Sequence, residues 1–256
     1  LDGVPFQSIA TYQLDGNASD LTTNYDGAAS NVTYSTGKFG QAGVFNGSSS
    51  VIQASGLNQF FNNWNDASWS AWINTTSTGA QWIICASPDQ QNYKLTAGIS
   101  SNKFQLVVRK SGTLYLNTST TTINDGNWHH IVATYDNSTG IAKGYVDGNE
   151  EISLSTGGTS SGTFSVGDFC IGANKVGSTI YNPLNGSIDQ VRIYDKALSA
   201  ADVTTLYNET AATASTNITL EAPSLVAYYK MSDATDETGS YDGTPTNVNF
   251  NVAGKF

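Results

Sequence analysis

Hydrophobic and polar residues alternate over short segments of the chain, and turn-forming residues separate these segments. In the segment KFQLVVR the alternation places Phe104, Leu106 and Val108 on one face, as a strand with one buried side requires. Comparable segments predict strands at residues 70–75, 81–86, 127–136, 141–146, 169–172 and 187–194. One of these leads into Asp147-Gly148, a pair typical of a hairpin turn. The pattern predicts an all-β sandwich.

Only residues 199–208 have a helical pattern. Ser199 is suited to the N-cap, and Asp202 follows three positions later, which is the spacing of a capping box. We therefore predict one short helix near the C-terminal end of the main domain.

The opening of the chain recurs near its end. Residues 9–39 and 226–256 share a Tyr-Asp-Gly triplet, which starts at Tyr25 and Tyr241, and both copies end in Gly-Lys-Phe. The stretch just before the second copy is rich in Thr and Ala and has no aromatic residue, as is typical of a linker. The predicted organisation is an N-terminal extension (1–7), a complete domain (8–208), a linker (209–224) and the opening segment of a second repeat (225–256).

A segment of about thirty residues cannot bury a hydrophobic core by itself. We therefore expect residues 225–256 to belong to a tandem array or to donate strands to a neighbouring copy of the protein. Packing of this segment on its own domain is the alternative.

The charge balance excludes some partners. The chain has 11 Lys and Arg against 21 Asp and Glu, a net charge of −10, which disfavours binding to nucleic acid or to an anionic membrane. No apolar run is long enough for a spanning helix, and the first residues do not form a basic and apolar leader. With 39% hydrophobic residues the chain can nevertheless bury a sizeable core.

Six strings carry a family resemblance. They are YQLDGNASD, GKFGQAGVFNGSSSV, SWSAWI, GNWHHIVATYDNSTG, GYVDG and LNGSIDQVRIYDKALSAADVTTLYN. In this order and spacing they resemble the laminin-G-like branch of the concanavalin-A-like superfamily across residues 8–208. The resemblance implies a two-sheet antiparallel jelly-roll sandwich with one short C-terminal helix.

Catalytic residues are not apparent. The β-glucanases with this fold need paired carboxylates on one strand face, as in E-x-D-x-x-E, and none of the five glutamates forms such a pair. Serine hydrolase chemistry is not supported either, since both histidines lie in one predicted strand. His129 and His130 are adjacent and point to opposite faces of a strand, so we predict structural roles for both.

Calcium is the better chemical hypothesis, because oxygen-bearing side chains cluster in one loop. Asp15, Asn17, Asp20 and Asn24 are closely spaced, and hard oxygen ligands suit this ion. The resemblance adds Asp189 and implies that the five residues form one structural calcium site. The alternative is a set of Asx turns that cap strand ends without an ion.

Aromatic residues outside the predicted strand cores are candidates for glycan contacts, because sugars offer C–H patches and hydroxyl groups. These residues are Trp64, Trp82, Tyr93, Tyr115 and Tyr181, and ordinary packing is the alternative for each. Trp69 and Trp72 lie in a strand segment and are predicted core residues instead.

The two cysteines, Cys85 and Cys170, lie in predicted strands that this fold could place side by side. A disulfide would suit an exported protein, and two reduced core thiols are an equal alternative.

Together these features predict a non-catalytic extracellular binding or adhesion module of a tandem-repeat surface protein, located on a cell or virion surface. Its expected partner is a glycan or a surface protein. The alternative is a structural subunit of a surface filament, fibre or virion appendage, assembled between neighbouring copies through residues 225–256.

Overall fold

The computed structural model describes residues 8–57, 65–86, 95–110, 112–157 and 169–210. The chain divides into two units, Leu1–Ile218 and Thr219–Phe256, and all described residues belong to the first. The predicted N-terminal extension, almost all of the predicted linker and the second-repeat segment (225–256) lie outside the described residues.

Within the described residues the chain forms seventeen strands and one helix. They are β1 (Ser8–Tyr12), β2 (Gly27–Ser30), β3 (Thr33–Thr36), β4 (Gln41–Asn46), β5 (Val51–Ala54), β6 (Ala67–Asn74), β7 (Gln81–Ala86), β8 (Thr96–Ser100), β9 (Lys103–Lys110), β10 (Thr113–Thr122), β11 (His129–Asp136), β12 (Ile141–Val146), β13 (Asn149–Ser155), β14 (Phe169–Ile171), β15 (Asn174–Val176), β16 (Thr179–Tyr181), β17 (Asn185–Tyr194) and α1 (Ala200–Tyr207).

Two large antiparallel sheets contain most of these strands. Sheet A has the order β13-β12-β11-β6-β17-β4-β3, and β1 pairs with the second half of β17. Sheet B has the order β10-β9-β8-β7-β14-β5-β2, and β15 pairs with β16 in a separate hairpin. This arrangement confirms the predicted all-β, two-sheet antiparallel jelly-roll sandwich.

The inward positions of both sheets form one hydrophobic core. Phe104, Leu106 and Val108 are fully buried on the inner face of sheet B, as the alternation predicted. Trp69 of sheet A meets Phe104 edge-on, with 6.3 Å between ring centroids, and its Nε1 donates a hydrogen bond to the Leu95 carbonyl. The interior is therefore built from large side chains of both sheets that interdigitate.

The outer face of sheet A is covered by the residues C-terminal to β17. The helix begins at a capping box in which Ser199 and Asp202 each accept a hydrogen bond from the other's main-chain N–H, which confirms the predicted helix start. Its buried residues Val203 and Leu206 pack against Val132, Tyr145, Tyr194 and Leu198. We call residues 195–209 the helical cover.

The outer face of sheet B is covered over one half. There the β15–β16 hairpin places Ile180 against Cys170 and Val51. On the other half, formed by β7, β8, β9 and β10, Leu114 and Leu116 remain 44% and 49% exposed. We call this second area the open half of sheet B.

Candidate functional site

Two aspartates meet at one corner of sheet A. Asp189 lies in β17, directly opposite Trp72 of β6, and the pairing of β17 with β6 is irregular immediately after it. Gln190, which follows Asp189, has a φ of 51°, and Leu14, which precedes Asp15, has a φ of 61°. Left-handed backbone is uncommon at such residues, so both aspartates lie beside locally unusual backbone.

One carboxylate accepts a hydrogen bond from the loop between β3 and β4, and the other accepts one from the first residue of β4. Asp189 Oδ2 accepts from the Phe39 N–H at 2.9 Å, and Asp15 Oδ1 accepts from the Gln41 N–H at 2.5 Å. A Cβ at Gly37 would lie 2.7 Å from Asp189 Oδ2, so the absence of a side chain there allows the close approach.

The corner carries uncompensated negative charge. Asp189 is fully buried, and burial raises its pKa to about 6, with the charge of Asp15 acting in the same direction against the hydrogen bonds from Phe39 and Gln190. No Lys, Arg or His among the described residues forms an ion pair with either carboxylate. The described residues contain no group of three or more His, Cys, Asp or Glu suited to a metal, so main-chain, amide or water oxygens would have to complete any cation's coordination shell.

The other three predicted calcium ligands have local hydrogen-bond contacts of their own. Asp20 is buried and accepts main-chain hydrogen bonds from Thr11 at 2.7 Å and from Thr22 at 3.0 Å. It also accepts from the N–H of Asn24, while Asn17 forms an exposed Asx turn with Ser19. Local hydrogen bonding occupies these side chains, as the Asx-turn alternative expected.

An aromatic group joins sheet A to the helical cover. The ring of Trp72 stacks with Tyr207 at 5.8 Å, lies 5.0 Å from the His130 ring and has Lys38 Nζ 4.1 Å above it. Trp72 is thus buried as predicted, but beneath the cover rather than between the sheets. Burial, with Arg192 and Lys38 nearby, lowers the pKa of His130 to about 3, and its Nδ1 has no hydrogen-bond partner among the described residues.

A buried ion pair fastens the end of the cover. Arg192 of β17 donates from both terminal nitrogens to the carboxylate of Glu209, at 2.6 and 2.9 Å. Their side chains are only 3% and 5% exposed. Glu209, assigned from sequence to the linker, therefore takes part in the fold of the first unit.

His129, next to His130 in β11, lies in an environment that favours the charged imidazole, whereas the environment of His130 favours the neutral one. Its Nδ1 lies 2.8 Å from Asp147 and its Nε2 lies 3.1 Å from Asp125. The hydrogen bond with Asp147 raises the pKa of His129, since both carboxylates favour the imidazolium form. Both histidines thus have structural partners, consistent with the structural roles expected for them.

The open half of sheet B contains the remaining candidate surface. Trp82, Gly98, Gln105 and Thr118 lie opposite one another on four successive strands, and we call them the Trp82 row. Phe104 and Leu106, on either side of Gln105, point inward, so the row points outward. A Cβ at residue 98 would lie 2.8 Å from the Trp82 ring, so the absence of a side chain there leaves room for the six-membered ring of the indole beside Gly98.

The other predicted glycan-contact residues are distributed differently. Tyr181 is 36% exposed, and the carbonyl of the next residue, Asn182, accepts a hydrogen bond from the Trp82 N–H at 2.8 Å. Tyr115 lies opposite Val108 and packs on the core, so it does not share the surface of Trp82. Trp64 and Tyr93 lie outside the described residues. Gly98 and Gln105 were missed as candidates, although the alternation of KFQLVVR already directs Gln105 outward.

Cys85 and Cys170 lie directly opposite each other on β7 and β14, as the predicted strand placement allowed. Both thiols are free and fully buried, so the structure contains the reduced alternative rather than a disulfide. Burial, with Cys170 alongside, raises the pKa of the Cys85 thiol and makes it a poor nucleophile.

The glutamates that the structure describes have structural partners. Glu150 pairs with Lys143 at 2.8 Å, Glu151 binds Thr120 and Thr121 of β10, and Glu209 binds Arg192. They offer no facing pair of free carboxylates of the kind that glycoside hydrolysis requires.

A cavity of about 380 Å³ lies between β11, β12 and the start of the helix. Its polar lining is already engaged: Asp136 caps a turn through Ser138 and Thr139, and Ser199 caps the helix. The Trp82 row therefore remains the better surface for ligand contacts.

Comparisons with known proteins agree with this architecture. A Laminin_G_3 family model, described as concanavalin A-like lectin/glucanases superfamily, matches residues 45–204. Domain 4 of AbnA, a GH43 extracellular arabinanase from Geobacillus stearothermophilus in complex with arabinotriose, is 24% identical with a TM-score of 0.62, and the match covers 81% of this chain and 100% of that domain. No curated protein sequence matches.

Two toxin structures are also similar. The binding domain of Paraclostridial Mosquitocidal Protein 1 is 15% identical with a TM-score of 0.63, over 79% of this chain and 52% of that one. A structure of botulinum neurotoxin type C, reported to depend on two ganglioside molecules for entering cells, is 18% identical with a TM-score of 0.60, over 79% and 51%. This chain thus spans about half the length of each toxin chain.

At these identities the structural matches show the fold alone. Among the described residues, no helix has the length and apolar character needed to cross a membrane. Since the family model covers well over half of the sequence, the chain belongs to the Laminin_G_3 family of the concanavalin A-like lectin/glucanases superfamily.

Proposed function

We propose that this chain is a non-catalytic glycan-recognition module of an extracellular surface protein. The observation that carries the proposal is the Trp82 row: an indole on the outer side of a sheet, packed beside Gly98, with the Gln105 amide on the same side two strands away. An aromatic face stacks on the C–H patch of a sugar ring, and an amide hydrogen-bonds its hydroxyl groups.

Two further observations support this function. Similar structures include a domain in complex with arabinotriose and a toxin that depends on gangliosides, so folds of this shape occur in carbohydrate-binding proteins. The structural engagement of Glu150, Glu151 and Glu209 favours binding over hydrolysis. The tandem-repeat and filament proposals depend on residues 225–256, outside the described residues.

We further propose that a calcium ion stabilises the module at the Asp15 and Asp189 corner. Two carboxylates that face one loop, one of them fully buried, favour a hard cation that neutralises both. The ion would supply charge compensation at the corner and no chemistry at the glycan surface.

The test of glycan recognition is a screen of immobilised glycans with the wild-type protein and with Trp82→Ala. We expect at least about a tenfold loss of affinity in Trp82→Ala, equivalent to about 1.4 kcal/mol, in a protein that circular dichroism shows to be folded. Trp82→Phe, which keeps an aromatic face, should retain part of the binding.

The matched control is Tyr207→Ala, which removes a partly exposed aromatic residue from the opposite side of the sandwich. It should bind glycan as the wild type does. Equal glycan binding by Trp82→Ala and the wild type would exclude the Trp82 row as the site, and no binding to any glycan would contradict the proposed function.

A further inference from the structure

Strand β10 is the outermost strand of sheet B, and among the described residues no strand pairs with the first half of its outer edge. The hairpin with β9 closes at the pair Thr113 and Lys110, so the main-chain groups of alternate residues from Thr113 onward face β9. The main-chain groups of Leu114 and Leu116 therefore face away from the sheet. No described residue bonds to them.

The second half of the same edge is protected. Glu151 of β13 accepts hydrogen bonds from the main-chain N–H of Thr120 at 2.6 Å and of Thr121 at 2.9 Å. A carboxylate thus blocks one end of β10 and leaves open the residues from 113 to 117.

The open part of this edge suits another copy of the same chain. The ten residues of β10 carry no charge, although the protein has a net charge of −10 and copies repel one another wherever acidic groups meet. The other sheet edges are less suitable, because β13 carries Glu150 and Glu151 while β2 and β3 have only four residues each. Leu114 and Leu116 add exposed apolar surface beside the open edge.

We propose that β10 pairs antiparallel with β10 of a second copy, centred on Tyr115. In this register Leu114 of one copy lies opposite Leu116 of the other, and each such pair exchanges main-chain hydrogen bonds in both directions. The contact is two-fold symmetric and closes as a dimer. It ends before Thr120, so the carboxylate of Glu151 does not have to move.

The length of the paired segment also sets the expected affinity of the dimer. Five paired residues span about 17 Å of strand, which is a smaller contact than the roughly 1,200–2,000 Å² of a stable interface. We therefore expect a weak dimer, which forms by extension of sheet B and brings four leucines together on its outer face.

Sedimentation equilibrium of the full chain, from about 1 μM to about 1 mM, tests the proposal. The wild type should show a reversible monomer–dimer equilibrium. Leu116→Lys should weaken the dimer at least tenfold, because it puts a charge among the leucines. Leu116→Pro should do the same, because it removes only an outward-facing N–H and leaves the bonds to β9 intact.

Ser35→Lys is the matched control, since it places the same charge at an exposed position on the edge strand β3. It should associate as the wild type does, and circular dichroism should show that all variants are folded. A wild type that stays monomeric throughout this range would overturn the proposal. So would a dimer that Leu116→Lys leaves at full strength, which would place the contact on another surface.

Discussion

The two outer faces of the sandwich differ although their strands share the same alternating pattern. Sheet A is closed by the helical cover, and beneath it lie Trp72, a neutral His130 and the ion pair between Arg192 and Glu209. The open half of sheet B has no such cover within the described residues, and it exposes Leu114 and Leu116 beside the Trp82 row. The segment C-terminal to a strand, rather than the strand itself, decides whether the outer face is available to a ligand.

This difference predicts two kinds of mutational effect. Polar groups beneath the cover have lost their contact with water, so removal of one partner leaves the other buried and unsatisfied. Exposed side chains on the open half, such as Leu114 and Leu116, can be truncated with little loss of stability, and effects of such changes should appear in binding instead. Variants of the closed face therefore measure how much free energy the cover contributes.

The largest expected effect is that of Glu209→Gln. This change leaves the guanidinium of Arg192 almost fully buried without its carboxylate, and breaking such a pair typically costs about 3–5 kcal/mol. Urea unfolding should show this loss in the free energy of unfolding. Glu150→Gln is the control, because its ion pair with Lys143 is 39% exposed on both sides and should contribute less than about 1 kcal/mol.

If Glu209→Gln and Glu150→Gln lost stability equally, the ion pair would not fasten the cover. The contrast between closed and open faces would then depend on the aromatic group alone.

The sequence predicts the closed face less completely than the strands beneath it. Alternation identifies which side of KFQLVVR is buried, and a capping box identifies the start of the helix, because both signals are local. The stacking of Tyr207 on Trp72 and the pairing of Glu209 with Arg192 join residues far apart in the chain, and no local pattern encodes them. Glu209 was assigned to the linker for that reason.

The corner formed by Asp15 and Asp189 shows the same limit of prediction from local sequence patterns. Asp15, Asn17, Asp20 and Asn24 are neighbours in sequence, yet only Asp15 shares the loop 37–41 with Asp189. Asp20 instead satisfies main-chain amides of its own loop. The resemblance supplied Asp189, while local turn geometry, which spacing does not reveal, separated the others.

The second prediction concerns Asp189→Asn. Burial raises the pKa of Asp189 from 3.8 to about 6, so ionisation in the folded state opposes stability increasingly as pH rises between these values. In chelator at pH 7, the Asp189→Asn variant should therefore be more stable than the wild type, by about 3 kcal/mol at most in the free energy of unfolding. At pH 3.5 the two should be nearly equal. Thermal unfolding with and without calcium measures both.

Calcium should reverse the order, because saturating ion at about 100 times its Kd adds about 2.7 kcal/mol to the wild type and little to Asp189→Asn. Asp20→Asn is the matched control, since it should lose stability equally in calcium and in chelator. A calcium response in Asp189→Asn as large as that of the wild type would contradict the calcium proposal.

The smallest effect comes from the adjacent histidines, which should give the pH dependence of stability opposite signs. His130 is held neutral, with a folded pKa of about 3, so stability is lost as pH falls below about 6.5, by about 2 kcal/mol at pH 5. His129 has a raised pKa through Asp147 and Asp125, so its contribution is complete below about 6.5 and disappears as pH rises through the folded value.

Unfolding free energies of the wild type, His129→Gln and His130→Gln, measured from pH 5 to pH 9, separate the two contributions. The difference in unfolding free energy between the wild type and His130→Gln should vary with pH only below about pH 6.5. The corresponding difference for His129→Gln should vary only above that pH. Taking differences cancels the titration of Asp189, which all three proteins share. An acid-side slope that His130→Gln leaves unchanged would mean that water reaches this imidazole, and that the cover over sheet A is not closed there.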